Sequence, residues 1–109
     1  MNQDIIDLIN RKENQILVHS CIYYRLNENI IPDWKYDSFG ADLIQLAKEY
    51  PDEFKASYHY NDFIEYVNSD TPSGFDLPYT TCEVISRATH LVSSQKIKRE
   101  DWYVWNLQL

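Results

Sequence analysis

Residues 23–39 read "YYRLNENIIPDWKYDSF", a helix-ending run flanked on both sides by aromatic rings and carboxylates. The asparagines of "NENIIP" are poor helix formers because their side chains compete for the backbone, and the ring of Pro32 pushes Ile31 out of the α region. One helix therefore ends here and a second begins at once, with Asp33 in its first turn, where a carboxylate is favoured by the free N–H groups. Two helices joined by so short a loop are expected to pack antiparallel, as a helical hairpin.

Both arms carry a matching apolar periodicity. Before the break, Ile5, Leu8, Ile9, Ile16, His19, Tyr23 and Leu26 recur at helical spacing and fall along one side of a helix. The polar patch "NRKENQ" inside that arm is expected to fray or break it near Glu13. After the break, Tyr36, Phe39, Leu43, Leu46, Ala47 and Tyr50 form an apolar face that ends at Pro51.

Further along, a short helix is predicted over 60–68, followed by a loop, because "DTPSGFDLP" is turn chemistry. Val84, Ile85, Ala88, Leu91 and Val92 then mark another helix, with Asp76 or Pro78 at its start. A last short helix, "REDWYVWNL", is predicted to cover the core with Trp102 and Trp105; the same aromatics could instead anchor a partner. Glu83 and Arg87 at i,i+4 read as an exposed ion pair. With no repeat and no dividing linker, the expected architecture is mainly α. It is a single small helical domain over 1–109, an antiparallel hairpin at about 15–54 extended by C-terminal helices over 55–109.

Composition narrows the function classes. Of 109 residues, 44% are hydrophobic and 25% charged, with two glycines and four prolines, as in a folded domain rather than a disordered chain. The start "MNQDIIDLINRKEN" has no signal-peptide pattern, and no apolar run reaches membrane-spanning length, so a cytoplasmic protein is expected. The net charge of −7 repels phosphate backbones and disfavours direct nucleic-acid binding. The acidity is uneven: Lys48 to Asp76 holds seven acidic side chains against two lysines. Such a run is usually a solvated face, or else a surface that imitates nucleic acid in another protein's basic groove.

Cys21 and Cys82 fit neither a metal motif nor a disulfide scaffold and read as reduced, semi-buried thiols. His19, His59 and His90 form no HxxxH or HExxH pair, so no metal is expected. There is no glycine-rich phosphate loop and no GxSxG, and no catalytic residue is assigned.

One constellation stands out. Asp33, Tyr36 and Asp37 lie at i, i+3 and i+4 and project from one face of the second helix, while Tyr23 and Tyr24 end the first. Each ring taken alone reads as core, and Asp33 as a first-turn carboxylate. Asp37, however, adds a like charge one turn after Asp33, which mildly opposes the helix and is better explained by a ligand or a basic partner. A hairpin would bring the tyrosine pair to the start of the next helix, forming a small pocket walled by rings and edged with carboxylates. Such a pocket suits a flat cation, since a ring face attracts positive charge by about 0.5–2 kcal/mol. A carboxylate there can accept hydrogen bonds from an amide or from ribose hydroxyls.

The pattern Y-Y-x8-D-x2-Y-D, filled by Tyr23, Tyr24, Asp33, Tyr36 and Asp37, resembles the N-terminal Ia domain of bacterial NAD+-dependent DNA ligases. The intervening "IPD" and the following "LIQLAKEYPDEF" are similar as well. The resemblance implies a helical module that captures the nicotinamide mononucleotide half of NAD+, with these five residues lining its site. The ligase's Lys-x-Asp-Gly motif is missing, since the nearest string, "KYDS" at Lys35, lacks the glycine. The chain therefore looks like a free-standing, ligase-related piece of the phage or prophage type, acting in the cytoplasm of a bacterial host, and not an enzyme. On this reading Tyr23, Tyr24 and Tyr36 pack on the nicotinamide of nicotinamide mononucleotide or NAD+, and Asp33 and Asp37 hold its amide or ribose. The alternative is an acidic phage-type interaction module that binds and inhibits a host protein, such as a nucleic-acid enzyme or an NAD+-using defence system.

Overall fold

The first helix begins where Asn2 accepts the Asp4 N–H on its side-chain oxygen at 3.0 Å, which caps one of the free donors of the first turn. In the computed structural model, which describes the backbone of residues 1–107 and the side chains of residues 1–95, this helix, α1, spans Gln3–Ser20 and runs on into a π-helical turn, Cys21–Arg25. Then follow α2 (Asp33–Glu49), α3 (Pro51–Lys55), α4 (Tyr60–Asn68) and α5 (Cys82–Leu107). No strand occurs among the described residues.

The polar patch does not break α1. Glu13 points inward and is fully buried, with its Oε2 2.9 Å from the Ser57 hydroxyl and its Oε1 accepting the His59 N–H at 3.3 Å. One turn earlier, Asn10 Oδ1 accepts the Tyr58 N–H at 2.8 Å. These acceptors serve the backbone donors of the turn between α3 and α4, where α4 has no side-chain cap of its own. The patch is thus a docking point for a distant turn, which periodicity cannot distinguish from a weak spot.

The hairpin forms where expected. The Leu26 N–H reaches back to the Cys21 carbonyl, Asn27 takes a left-handed φ of 52°, and the Glu28 N–H donates to the Ile22 carbonyl at 3.0 Å. Asparagine tolerates that conformation better than most residues, so it closes the arm as a glycine would. The arms are antiparallel, since Lys12 pairs with Asp42 at 3.3 Å while Ser20, further along α1, meets Tyr36, earlier in α2.

One short helix is added and two expectations are corrected. Pro51 opens the short helix α3, with Asp52 and Glu53 in its first turn, as well as ending the apolar face of α2. The final long helix starts at Cys82, where Thr81 Oγ1 accepts the Val84 N–H at 3.3 Å, not at Asp76 or Pro78. "REDWYVWNL" is the end of α5 and not a separate helix. The expected covering of the core by Trp102 and Trp105 concerns side chains outside the described residues.

One core joins the elements. Ile9, Ile16 and Leu17 of α1, Leu43 of α2, Phe63 of α4 and Ala88 of α5 are each fully buried in one cluster, with Leu77 and Tyr79 from the 69–81 loop and Phe54 from α3. Gly40 lets α4 lie close, because a Cβ there would meet the Tyr66 hydroxyl. Cys21 is buried and Cys82 exposed, both free; burial pushes the Cys21 thiol up and keeps it inert. Arg87 and Glu83 form the expected exposed pair at 2.8 Å. No helix among the described residues is long and apolar enough to cross a membrane.

Burial raises the Glu13 pKa more than its hydrogen bonds to Ser57 and the His59 backbone lower it, and the Asp62 carboxylate nearby adds to the rise. A protonated Glu13 can donate to Ser57 Oγ, leaving the serine proton for the Phe54 carbonyl 2.7 Å away, so every group is satisfied. Folding then takes up a proton. The stability this confers is complete below the ordinary glutamate range and is lost as pH rises through the raised value. Glu13→Gln keeps the neutral hydrogen-bonding pattern, so its stability advantage over the native chain is expected to grow between pH 4 and pH 8 in urea unfolding. A difference that stays flat with pH would contradict the buried-acid assignment.

Candidate functional site

The π-helical turn sets up the site. Widening the last turn of the first arm changes the angle between successive side chains, and such turns recur at functional positions. Here two consecutive rings, Tyr23 and Tyr24, reach the same cavity, a space of about 240 Å³ between this turn, the 27–32 loop and the start of α2. Asp33, Tyr36 and Asp37 line it from the other arm, so all five residues singled out in the sequence border one cavity. Ile22, Ile30 and Ile31 supply apolar wall.

The rings are held differently. Tyr23 is 53% exposed and meets Tyr24 edge-on, with centroids 4.9 Å apart and planes at 89°. Tyr24 is packed: Phe75 stands against it edge-on at 5.3 Å and Tyr79 stacks on it at 5.9 Å with planes 23° apart. The Tyr36 hydroxyl shares a 2.7 Å hydrogen bond with Ser20 Oγ. Behind this pair lies Gly74, buried, where an added Cβ would collide with both the Tyr36 hydroxyl and Ser20 Oγ. The 69–81 loop therefore braces two of the three tyrosines from behind, and only glycine permits its close approach.

Asp33 and Asp37 are exposed at the rim, one helical turn apart. His19 forms part of the wall, its ring 5.5 Å from that of Phe39, and burial together with the charge of Lys35 lowers its pKa, so it is neutral at pH 7. Burial pushes the Tyr36 hydroxyl up and that of Tyr66 to about 12, so both remain protonated donors at neutral pH. The cavity thus offers ring faces and, at its rim, carboxylate acceptors, with the Tyr36 hydroxyl engaged by Ser20. Among the described residues no three His, Cys, Asp or Glu side chains converge as a metal ion would require.

His19, Ser20, Gly74, Phe75 and Tyr79 belong to the site without having been assigned to it from sequence. His19 and Ser20 had a local signal, each lying four residues before a site tyrosine and hence one turn away on the same face. Gly74, Phe75 and Tyr79 had none, because their contacts with Tyr24 and Tyr36 span tens of residues. Compared with family models, curated proteins and solved structures, the chain matches none.

Gly74→Ala forces the loop away from Tyr36 and Ser20, and overpacking of this kind costs about 1–3 kcal/mol. Ser20→Ala removes one hydrogen bond and is expected to cost about 1 kcal/mol. Urea unfolding of both variants checks the ordering; a Gly74→Ala chain as stable as the native one would show that the loop does not press on the site.

Proposed function

We propose that the protein is a non-catalytic module that holds the nicotinamide–ribose part of nicotinamide mononucleotide or NAD+, to sense or sequester it. The convergence of Tyr23, Tyr24, Asp33, Tyr36 and Asp37 on one cavity is the observation that carries this reading. The pyridinium ring is flat and cationic, so it gains from the tyrosine faces without needing a covalent partner. Its carboxamide N–H groups and the ribose hydroxyls find acceptors in Asp33 and Asp37. Catalysis is not part of the proposal: the nearest thiol, Cys21, is fully buried with its pKa raised, which is the reverse of an activated nucleophile.

A second reading, inhibition of a host protein through charge mimicry, is favoured by the surface between Lys48 and Asp76. Every acidic side chain there except Glu53 is exposed, as is Tyr58 at 82%. The two readings respond oppositely to mutation. Charge reversal at Asp62, Glu65 and Asp70 leaves nucleotide binding in place but abolishes mimicry, and mimicry weakens steeply with salt.

A two-dimensional amide NMR titration with nicotinamide mononucleotide and NAD+ tests the first reading. Saturable shifts centred on residues 19–37 are expected, lost in Asp37→Ala while that variant keeps its folded spectrum. An unchanged native spectrum at millimolar ligand would sink the nicotinamide reading and turn attention to the acidic surface.

A further inference from the structure

We infer that the site takes the whole of NAD+ in preference to its nicotinamide half, with the adenine seated in a recess that opens off the cavity. The inference rests on the nicotinamide reading of the site and adds a second seat to it. The recess, about 320 Å³, is bordered by Tyr23, Tyr24, Asn27, Glu28 and Asn29. All of these except Asn27 also border the cavity, so the two spaces meet along the tyrosine pair. A ligand that carries two flat bases on one flexible link matches two adjoining spaces with rings between them.

Tyr23 is the adjustable ring of that pair. It is 53% exposed, whereas Tyr24 is packed against Phe75 and Tyr79. An aromatic ring has two faces, so a residue bordering both spaces can give one to the pyridinium and the other to the adenine. Base–aromatic stacking draws on dispersion and burial, so it adds to the attraction for the cation without competing with it.

The asparagine amides supply the polar contact. Asn27 and Asn29 are exposed, and each offers a carbonyl acceptor beside two N–H donors. That pairing matches the edge of adenine, where the 6-amino group donates and the neighbouring ring nitrogen accepts. The hairpin turn fixes the backbone at Asn27, whose φ of 52° is left-handed and whose neighbour Glu28 donates its N–H to the Ile22 carbonyl. An amide carried on a backbone already in place costs little to order on binding.

Size and charge are compatible with this seat. At about 240 Å³ the cavity alone lies below the roughly 300–1,000 Å³ typical of drug-sized ligand pockets, and the recess brings the site into that range. The pyrophosphate that links the two halves of the ligand lies at the wet mouth. There the carboxylates of Asp33 and Asp37 are screened by water and salt, and partly offset by Lys35, which is close enough to lower the His19 pKa. Glu28 is already engaged within the protein and takes no part.

Calorimetric titration of the full chain at physiological salt with nicotinamide mononucleotide, NAD+ and nicotinamide hypoxanthine dinucleotide tests the inference. NAD+ is expected to bind about tenfold more tightly than the mononucleotide, the low end of what a base–aromatic stack supplies. The hypoxanthine analogue replaces the 6-amino donor with a carbonyl and is expected to fall back towards the mononucleotide. Asn27→Gly keeps the left-handed backbone and removes the amide; it is expected to weaken NAD+ and leave the mononucleotide unchanged. Equal affinity for NAD+ and the mononucleotide, or for NAD+ and its hypoxanthine analogue, would overturn the adenine seat and leave the nicotinamide reading standing. Failure of all three ligands to bind would overturn both.

Discussion

Everything in this fold depends on the chain reversing between Leu26 and Asp33. The reversal is a matter of backbone chemistry: a π-widened last turn, one left-handed asparagine and a proline that bars the helix from continuing backwards from Asp33. It lays α2 back along α1, which buries Leu43 and Phe39 against Ile16 and Leu17. The same reversal leaves a gap at the turn end that the apolar residues do not fill. The rings of Tyr23, Tyr24 and Tyr36 border that gap, and Asp33 and Asp37 stand at its mouth.

Two turns from the second half of the chain support the first. The 69–81 loop sends Phe75 and Tyr79 to the back of Tyr24 and presses the backbone of Gly74 against the Ser20–Tyr36 hydrogen bond. Midway along α1, the turn after α3 is tied down by Asn10 and by the buried carboxyl of Glu13. A bordering side chain can select a ligand only if its own position is fixed beforehand, because ordering it on binding costs affinity. Tyr24 and Tyr36 are fixed in this sense, while Tyr23 is half in solvent and free to adjust.

Much of this was legible in the sequence, and what was not has a common cause. The hairpin, the helix at 60–68 and the apolar face of α5 follow from periodicity and from the local preferences of Asn27 and Pro32. The grouping of the five site residues followed from the same logic, since i, i+3 and i+4 on one arm must face the end of the other. Glu13 was misread as a weak point because its partners, Ser57 and His59, lie more than forty residues away. The start of α5 was misplaced because Asp76 and Pro78 are ordinary start signals, whereas Leu77 and Tyr79 are instead drawn into the core and delay the helix to Cys82. Gly74 could be read as a turn residue but not as the contact behind Tyr36.

The central claim is that the gap at the hairpin end is a seat for a flat cation. The most direct measurement is a crystal structure of the protein grown with nicotinamide riboside. The expected result places the pyridinium ring within about 6 Å of the centroids of Tyr23, Tyr24 or Tyr36, with its carboxamide or ribose hydroxyls on Asp33 and Asp37. A ligand found elsewhere on the surface, or a cavity that stays empty in crystals saturated with it, would contradict the claim and leave the motif as scaffold alone.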